Sequence, residues 1–181
     1  MKVTREQAAA TRERILGAAA KLFREHGLDG IGVADLMKSA GLTHGGFYGH
    51  FSSKEALMAQ ACARTLANAA QKWSARSLSE IVQSYLSKRH VADPGSGCAL
   101  ATLGADVSRQ NAPVRHAFTQ GANSLVEVLT ARAPGKTRAA KRKRALAIFA
   151  SMVGALVLAR AVDDARLSGE ILKAAADSIT R

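Results

Sequence analysis

The sequence predicts an all-α protein, a small three-helix N-terminal unit followed by a larger C-terminal helical bundle, about nine helices in all. Three observations carry this reading. Hydrophobic residues make up 48% of the 181 residues but aromatic residues only 4%. Ala and Leu dominate over β-branched and aromatic side chains, which disfavours a β-sandwich or barrel. Apolar residues recur at helical spacing along nearly the whole chain. Only Pro94, Pro113 and Pro134 interrupt it.

Ile15, Leu16, Ala19, Leu22 and Phe23 form one apolar stripe, and Gly27 suits a left-handed cap, so the first helix spans about Arg5 to His26. Val33, Leu36, Met37 and Ala40 mark a second, short helix that Gly32 opens and Gly41 ends in a tight turn. Thr43 is placed to cap a third short helix through about Phe51. Ser52 and Glu55 have capping-box spacing, which starts a fourth helix near Ser53. Leu57, Ala61, Cys62 and Leu66 line its inner side, and it reaches about Ala75. Leu78, Ile81, Val82, Tyr85 and Leu86 make another stripe, and Asp93-Pro94-Gly95-Ser96-Gly97 is a loop. Leu100, Leu103 and Val107 mark a short helix, Val114 to Leu129 a longer one that Pro134-Gly135 ends. The helix from about Thr137 to Val162 carries the apolar run Ala145–Ala159, which Asp163 and Asp164 stop. Ile171, Leu172, Ala175 and Ile179 belong to a last amphipathic helix.

Two cysteines, Cys62 and Cys98, supply neither a disulfide framework nor a closed zinc site, and the five histidines show no paired ligand spacing. No metal, cofactor or catalytic constellation is expected. The charged N-terminus carries no apolar segment of the secretory kind, so a cytoplasmic location is expected. Fifteen apolar residues rise only about 22 Å as a helix, short of the roughly 30 Å hydrocarbon core, so no membrane partner is expected. The formal net charge is +12, which favours a polyanionic partner. The excess peaks at Arg132, Lys136, Arg138, Lys141, Arg142, Lys143 and Arg144. That run lies away from the segment best suited to read DNA, and a solvated loop and helix start is the reading preferred for it.

Val33–Ser39 and Thr43–Phe51, hinged at Gly41, have the layout of a helix-turn-helix. Leu36, Ala40, Leu42 and Phe47 are spaced to hold the pair together. The opposite face offers His44, Gly45, Tyr48 and His50. A helix this short buries little by itself, and its use is to present a face to the DNA major groove.

The run Gly41-Leu42-Thr43-His44-Gly45-Gly46-Phe47-Tyr48-Gly49-His50-Phe51-Ser52-Ser53-Lys54-Glu55-Ala56-Leu57 closely resembles the signature of TetR-type (tetracycline-repressor-like) transcriptional regulators. Thr11-Arg12-Glu13-Arg14-Ile15-Leu16 and Leu22-Phe23-Arg24-Glu25-His26-Gly27 resemble the first helix of that family. The likeness covers about residues 8–60. Three departures stand out: Met37 where a small alanine is common, three glycines in the reading helix, and no Lys or Arg within it.

The resemblance implies a homodimer with a DNA-binding domain at residues 1–52 and a ligand-binding and dimerisation domain at 53–181. It also implies a double-stranded operator, release by a small-molecule effector, and no enzymatic activity. By position, Thr43, His44, Tyr48, His50 and Lys54 match the DNA-contacting sites of the family. Tyr48 and Lys54 suit phosphate, Thr43 and His44 suit base edges, and Gly45 and Gly46 admit close backbone approach. A packed, hydrogen-bonded His50 remains an alternative.

Expected on the effector pocket are Trp73, Tyr85, Cys98, Thr102, Phe118 and Phe149, with aliphatic walls that suit a mostly apolar ligand. Cys98, in the first turn of a helix, reads either as a reactive thiol or as a small packed hydrophobe. Ala147, Ala150, Gly154 and Leu158, with Ile171, Leu172, Ala175 and Ile179, are the expected dimer surface. The competing readings are a basic architectural DNA-binding protein without operator specificity, and a helical-bundle carrier or enzyme.

Overall fold

The computed structural model describes residues 4–180, and among them every regular element is helical. The elements are α1 (Arg5–His26), α2 (Val33–Ser39), a 3-10 helix (His44–Gly49), α3 (Lys54–Ser74), α4 (Leu78–Tyr85), α5 (Lys88–Ala92), α6 (Ala99–Ser108), α7 (Ala112–Arg132), α8 (Arg138–Ala161) and α9 (Ala165–Thr180). The short α5 was not legible as a separate element. It forms because the Ser87 side chain accepts the His90 N–H and caps a single turn.

Local chemistry sets the ends. Thr4 and Gln7 form a reciprocal capping box at the start of α1, and Gly27 closes it at φ 80°. Ser77 and Glu80 make the same box at α4. The sequence made Ser52 the cap of α3. Ser53, not Ser52, is the cap, accepting the Ala56 N–H at 3.1 Å. Asp164, read as a helix stop, also starts the next helix by accepting the Arg166 and Leu167 N–H groups.

The third element differs from expectation. It is a 3-10 helix ending at Gly49, not an α-helix through Phe51, and the Thr43 side chain makes no cap hydrogen bond. Gly45, Gly46 and Gly49 each lower helix propensity by about 1 kcal/mol relative to Ala, so six residues cannot sustain α-helical turns. The segment is held instead by packing. Phe47 is fully buried, and Phe51 stacks on it at 5.8 Å between ring centroids.

The framework of the bundle is the long contact between α3 and α7, which run in the same direction, so that Gly121 meets Leu66 and Arg132 reaches the end of α3; α8 extends it against α7 and α9 against α8. The α1 helix packs its stripe of Ile15, Leu16, Ala19 and Phe23 against α2 and α3 and also touches α6. By length and composition α8 could cross a bilayer; in this fold its inner stripe of Ala145, Ile148, Met152, Ala155, Leu156 and Ala159 is core. Its outer face leaves Leu146, Val157 and Leu158 exposed.

Gly121 marks the closest approach of α3 and α7. A Cβ added there would fall 2.5 Å from the Leu66 Cβ, with no room to yield. Gly121→Ala should therefore destabilise the protein by about 1–3 kcal/mol, the range for overpacking a filled core, despite the better helix propensity of Ala. Chemical denaturation of the two proteins checks this, and Leu66→Ala in the Gly121→Ala background should recover part of the loss.

Candidate nucleic-acid interface and internal cavity

The N-terminal site rests on a buried aromatic base. Phe47 and Phe51 face inward, and the Arg12 guanidinium from α1 lies 4.8 Å over the Phe51 ring. The turn before the 3-10 helix needs Gly41, at φ 71°, so that the Leu42 N–H can return to the Met37 carbonyl at 2.9 Å. Met37 is fully buried and its terminal methyl lies beside Gly46. The larger side chain at this position thus fills the space that the glycine leaves.

With Phe47 and Phe51 turned in, the other face of the segment is open. Tyr48 packs edge-on to Phe47 at 5.2 Å, yet 67% of it is exposed. Its ring is the bulkiest side chain on a surface of mostly small residues. Thr43, His44, Gly45 and Gly46 are exposed on the same segment; His50 and Lys54 are half-buried at its end. Lys54 is the first residue of α3, where backbone N–H groups face outward and favour an anion.

A second candidate site is an open cleft of about 770 Å³ between α1, α3, α4, α5 and the 93–98 loop. Trp73, Tyr85 and Cys98 line it. Thr102, Phe118 and Phe149 are not on its wall. Phe118 and Phe149 are half-buried, packed against the core from α7 and α8. Neither the α7 helix nor most of α6 contributes, because α3 and α7 approach too closely at Gly121 to leave space between them. The wall is also less apolar than expected: Arg24, Arg64, Lys72, Arg76 and Arg89 line it against the single carboxylate of Asp93.

The loop at the cavity rim is held by His90. Its Nε2 accepts the Cys98 N–H at 2.9 Å, so the proton sits on Nδ1 and is donated to the Tyr85 carbonyl at 2.7 Å. Cys98 is half-buried and caps α6 through its backbone alone. Cys62 is buried on α3, and burial pushes its thiol up to about 11. Sequence reasoning missed His90 and Arg24, whose partners lie far along the chain or on a loop. It also missed Arg132, whose guanidinium donates to the Arg76 and Ser74 carbonyls and clamps the α3–α4 connection. Arg138 and Arg142 both pair with Glu127, so part of the basic run is committed within the bundle.

Polar contacts join the two sites. Arg24, near the end of α1, donates to the Gly95 carbonyl at 2.8 Å and to the Thr65 hydroxyl at 3.1 Å. The Leu28 N–H donates to Asp106 of α6 at 3.1 Å, and Gln110 reaches Asp29 at 3.0 Å. The α6 helix starts at the cavity and grips the α1–α2 connection with its far end.

A short exposed turn on a buried aromatic base, joined to a helical bundle with an open cleft, has the layout of a helix-turn-helix unit on a larger helical domain. Residues 15–61 match the sequence profile described as bacterial regulatory proteins, tetR family. The HTH-type transcriptional repressor NemR of Escherichia coli K12 is 29% identical over 135 residues, 66% of this chain and 65% of NemR. The crystal structure of reduced E. coli NemR superposes with a TM-score of 0.77 at 24% identity, covering 94% of this chain and 95% of that one. The HTH-type regulator AcrR of Shigella flexneri is 35% identical over 57 residues, 32% of this chain; the match spans only about a quarter of AcrR (26%). FadR of Bacillus subtilis, solved in complex with stearoyl-CoA, has a TM-score of 0.63 at 17% identity, covering 91% of this chain and 97% of that one. Residues 15–61 thus carry the tetR-family profile, and the chain as a whole shares the fold of solved TetR-family regulators.

The His90 tether makes stability depend on pH in a defined direction. Burial holds its pKa below the ordinary imidazole value; the Tyr85 carbonyl opposes this and the Arg160 charge adds to it. The unfolded chain then takes up the proton first, so this stabilisation is complete above the ordinary value and is lost as pH falls through it. The urea midpoint should drop between about pH 7.5 and 5. His90→Gln should lower stability by about 1–2 kcal/mol at neutral pH and flatten that dependence; equal slopes in the two proteins would remove His90 as the cause.

Proposed function

We propose that this protein is an effector-responsive DNA-binding repressor that acts in the cytoplasm as a homodimer on a pseudo-palindromic operator. Residues 1–52 are the DNA-binding unit, and residues 53–181 bind the effector and the second protomer. The observation that carries the reading is Tyr48: an exposed ring on a glycine-rich turn whose neighbours Phe47 and Phe51 are locked into the core. The Tyr48 hydroxyl positions a phosphate, Lys54 adds charge at the α3 N-terminus, and Thr43 and His44 reach base edges while Gly45 and Gly46 let the backbone close in. His50 flanks this surface from its half-buried place. Repression is supported by the likeness to NemR, described as a repressor. An effector is supported by the 770 Å³ cavity and by the stearoyl-CoA bound to FadR.

The dimer surface is the outer face of α8. Leu146, Ala147, Ala150, Gly154, Val157 and Leu158 follow one another at helical spacing, and Leu146, Val157 and Leu158 are 46%, 42% and 56% exposed. Small residues among them permit close helix approach. On α9, Ile171 and Ala175 are half-buried, but Leu172 and Ile179 are 5% and 6% exposed and belong to the core of their own protomer. They hold α9 in place and are withdrawn from the proposed contact. A two-fold axis across α8 would present two reading turns to two half-sites.

Selection of bound DNA from random duplexes tests the whole reading: one inverted repeat should emerge. Binding to any duplex with a steep salt slope and no repeat would identify an architectural DNA-binding protein instead. On the recovered site, Tyr48→Phe and Lys54→Ala should weaken binding across all sequences, and Lys54→Ala should lower the salt slope by about 1. His44→Ala should relax preference at one base pair per half-site, by about 1–3 kcal/mol. Sedimentation should give a dimer at micromolar concentration. Leu158→Glu should shift it to monomer and reduce operator affinity; a dimer unchanged by Leu158→Glu would move the interface elsewhere.

A further inference from the structure

We propose that the cavity between α1, α3, α4 and the 93–98 loop binds a small organic anion, a carboxylate or phosphate on an apolar body, and that Arg24 grips its charged end. As a statement about the effector this rests on the regulator reading above; as a statement about a binding site it stands on the cavity alone.

The argument begins with charges that lack partners. Arg24 is half-buried on the cavity wall, and its hydrogen bonds run to neutral acceptors, the Gly95 carbonyl and the Thr65 hydroxyl. No ion pair among the described residues includes it. Behind the same wall, Arg160 donates one bond to the His90 carbonyl, and its Nε and Nη1 are buried without a partner. Burial lowers the pKa of both guanidiniums. Partly desolvated cations without counter-charges are costly, and an anion in the cavity would relieve Arg24 directly, with Arg160 adding positive potential from behind the wall.

Neutral donors converge on the same space. The Tyr85 side chain is only 4% exposed, lines the cavity, and its hydroxyl has no hydrogen-bond partner. A buried hydroxyl left unsatisfied in this way is uncommon and suits a ligand acceptor. The α6 helix opens on the cavity at Cys98 and Ala99 without a side-chain cap, so its first-turn N–H groups remain free for an anion. The one lining carboxylate, Asp93, is already engaged by the Ser96 N–H at 3.0 Å. Lys72 and Arg89 add positive charge at the exposed rim, which draws anions inward. The Trp73 ring, edge-on to Tyr85 at 5.8 Å, supplies the apolar wall. About 770 Å³ holds a ligand of drug size.

The bound anion has a mechanical consequence. Arg24 ties α1 to the Gly95 carbonyl, so a ligand that draws the guanidinium away loosens the join between the reading unit and the 93–98 loop.

Trp73, the only tryptophan in the chain, reports on this site directly. The full-length protein is titrated at constant ionic strength with benzoate, phenyl phosphate and the neutral isostere benzamide, following tryptophan fluorescence. The anions should bind saturably, and benzamide should bind about tenfold more weakly or worse, the scale of one charge-assisted contact. Arg24→Gln should lose about tenfold for benzoate, whereas Arg142→Gln, far from the cavity in the Glu127 pair, should bind as the parent. Equal affinity for benzoate and benzamide, full binding by Arg24→Gln, or no response to either anion would each overturn the proposal. If Arg24→Gln loses its helical circular dichroism, the benzoate–benzamide comparison in the parent decides alone. If the anions bind but leave the selected operator occupied, the site stands and its role as the effector site falls.

Discussion

The last turn of α1 serves two units at once. Its apolar stripe, ending at Phe23, is part of the packing beneath the reading turn, while Arg24 and the following Leu28 amide are bonded to the 93–98 loop and to α6. This 22-residue helix is continuous from a capping box at one end to Gly27 at the other, so the proposed cavity ligand and the packing beneath Phe47 act on one element. The polar bonds matter more than their number suggests, because interlocked apolar cores transmit strain and do not absorb it.

The reading turn shows how order can be obtained without helix propensity. Three glycines deprive it of intrinsic stability, and the 3-10 geometry is the outcome. Burying Phe47 and Phe51 gives back about 1.5–3 kcal/mol for each ring, more than the glycines withdraw. The exposed face then carries almost no side-chain bulk except Tyr48. Charge is likewise kept out of the turn and placed at its edge, on Lys54.

The strong positive charge divides into two uses. Much of the basic run near residue 140 is spoken for by structure: Arg132 satisfies carbonyls at the end of α3, and Arg138 and Arg142 share Glu127. These surface pairs contribute little each. Around the cavity the balance is different: Arg64 pairs with Glu13, but Arg24 meets the Gly95 carbonyl and the Thr65 hydroxyl and forms no ion pair. A protein holds uncompensated charge out of water where something else completes it.

Most helices and the reading segment were legible from the sequence, because their causes are local: apolar spacing at Ile15–Phe23 and glycines at 27 and 41. The sequence by itself also determined which aromatic residues of the turn face inward, since Phe47 and Phe51 are four residues apart and Tyr48 falls between them. Tertiary structure alone decided the position and polarity of the cavity. Phe118 and Phe149 looked like pocket aromatics, but the α3–α7 contact at Gly121 closes the space they would have lined. Arg24, Arg64 and Lys72 share no local pattern that marks them as a set, and only the packing of α1 against α3 brings them to one volume. Likewise Leu172 and Ile179 could have faced a partner or their own core, and the docking of α9 on α8 settled it. The spacing of apolar residues states which face of a helix is buried; what buries it depends on contacts between residues far apart in the chain, which no local pattern encodes.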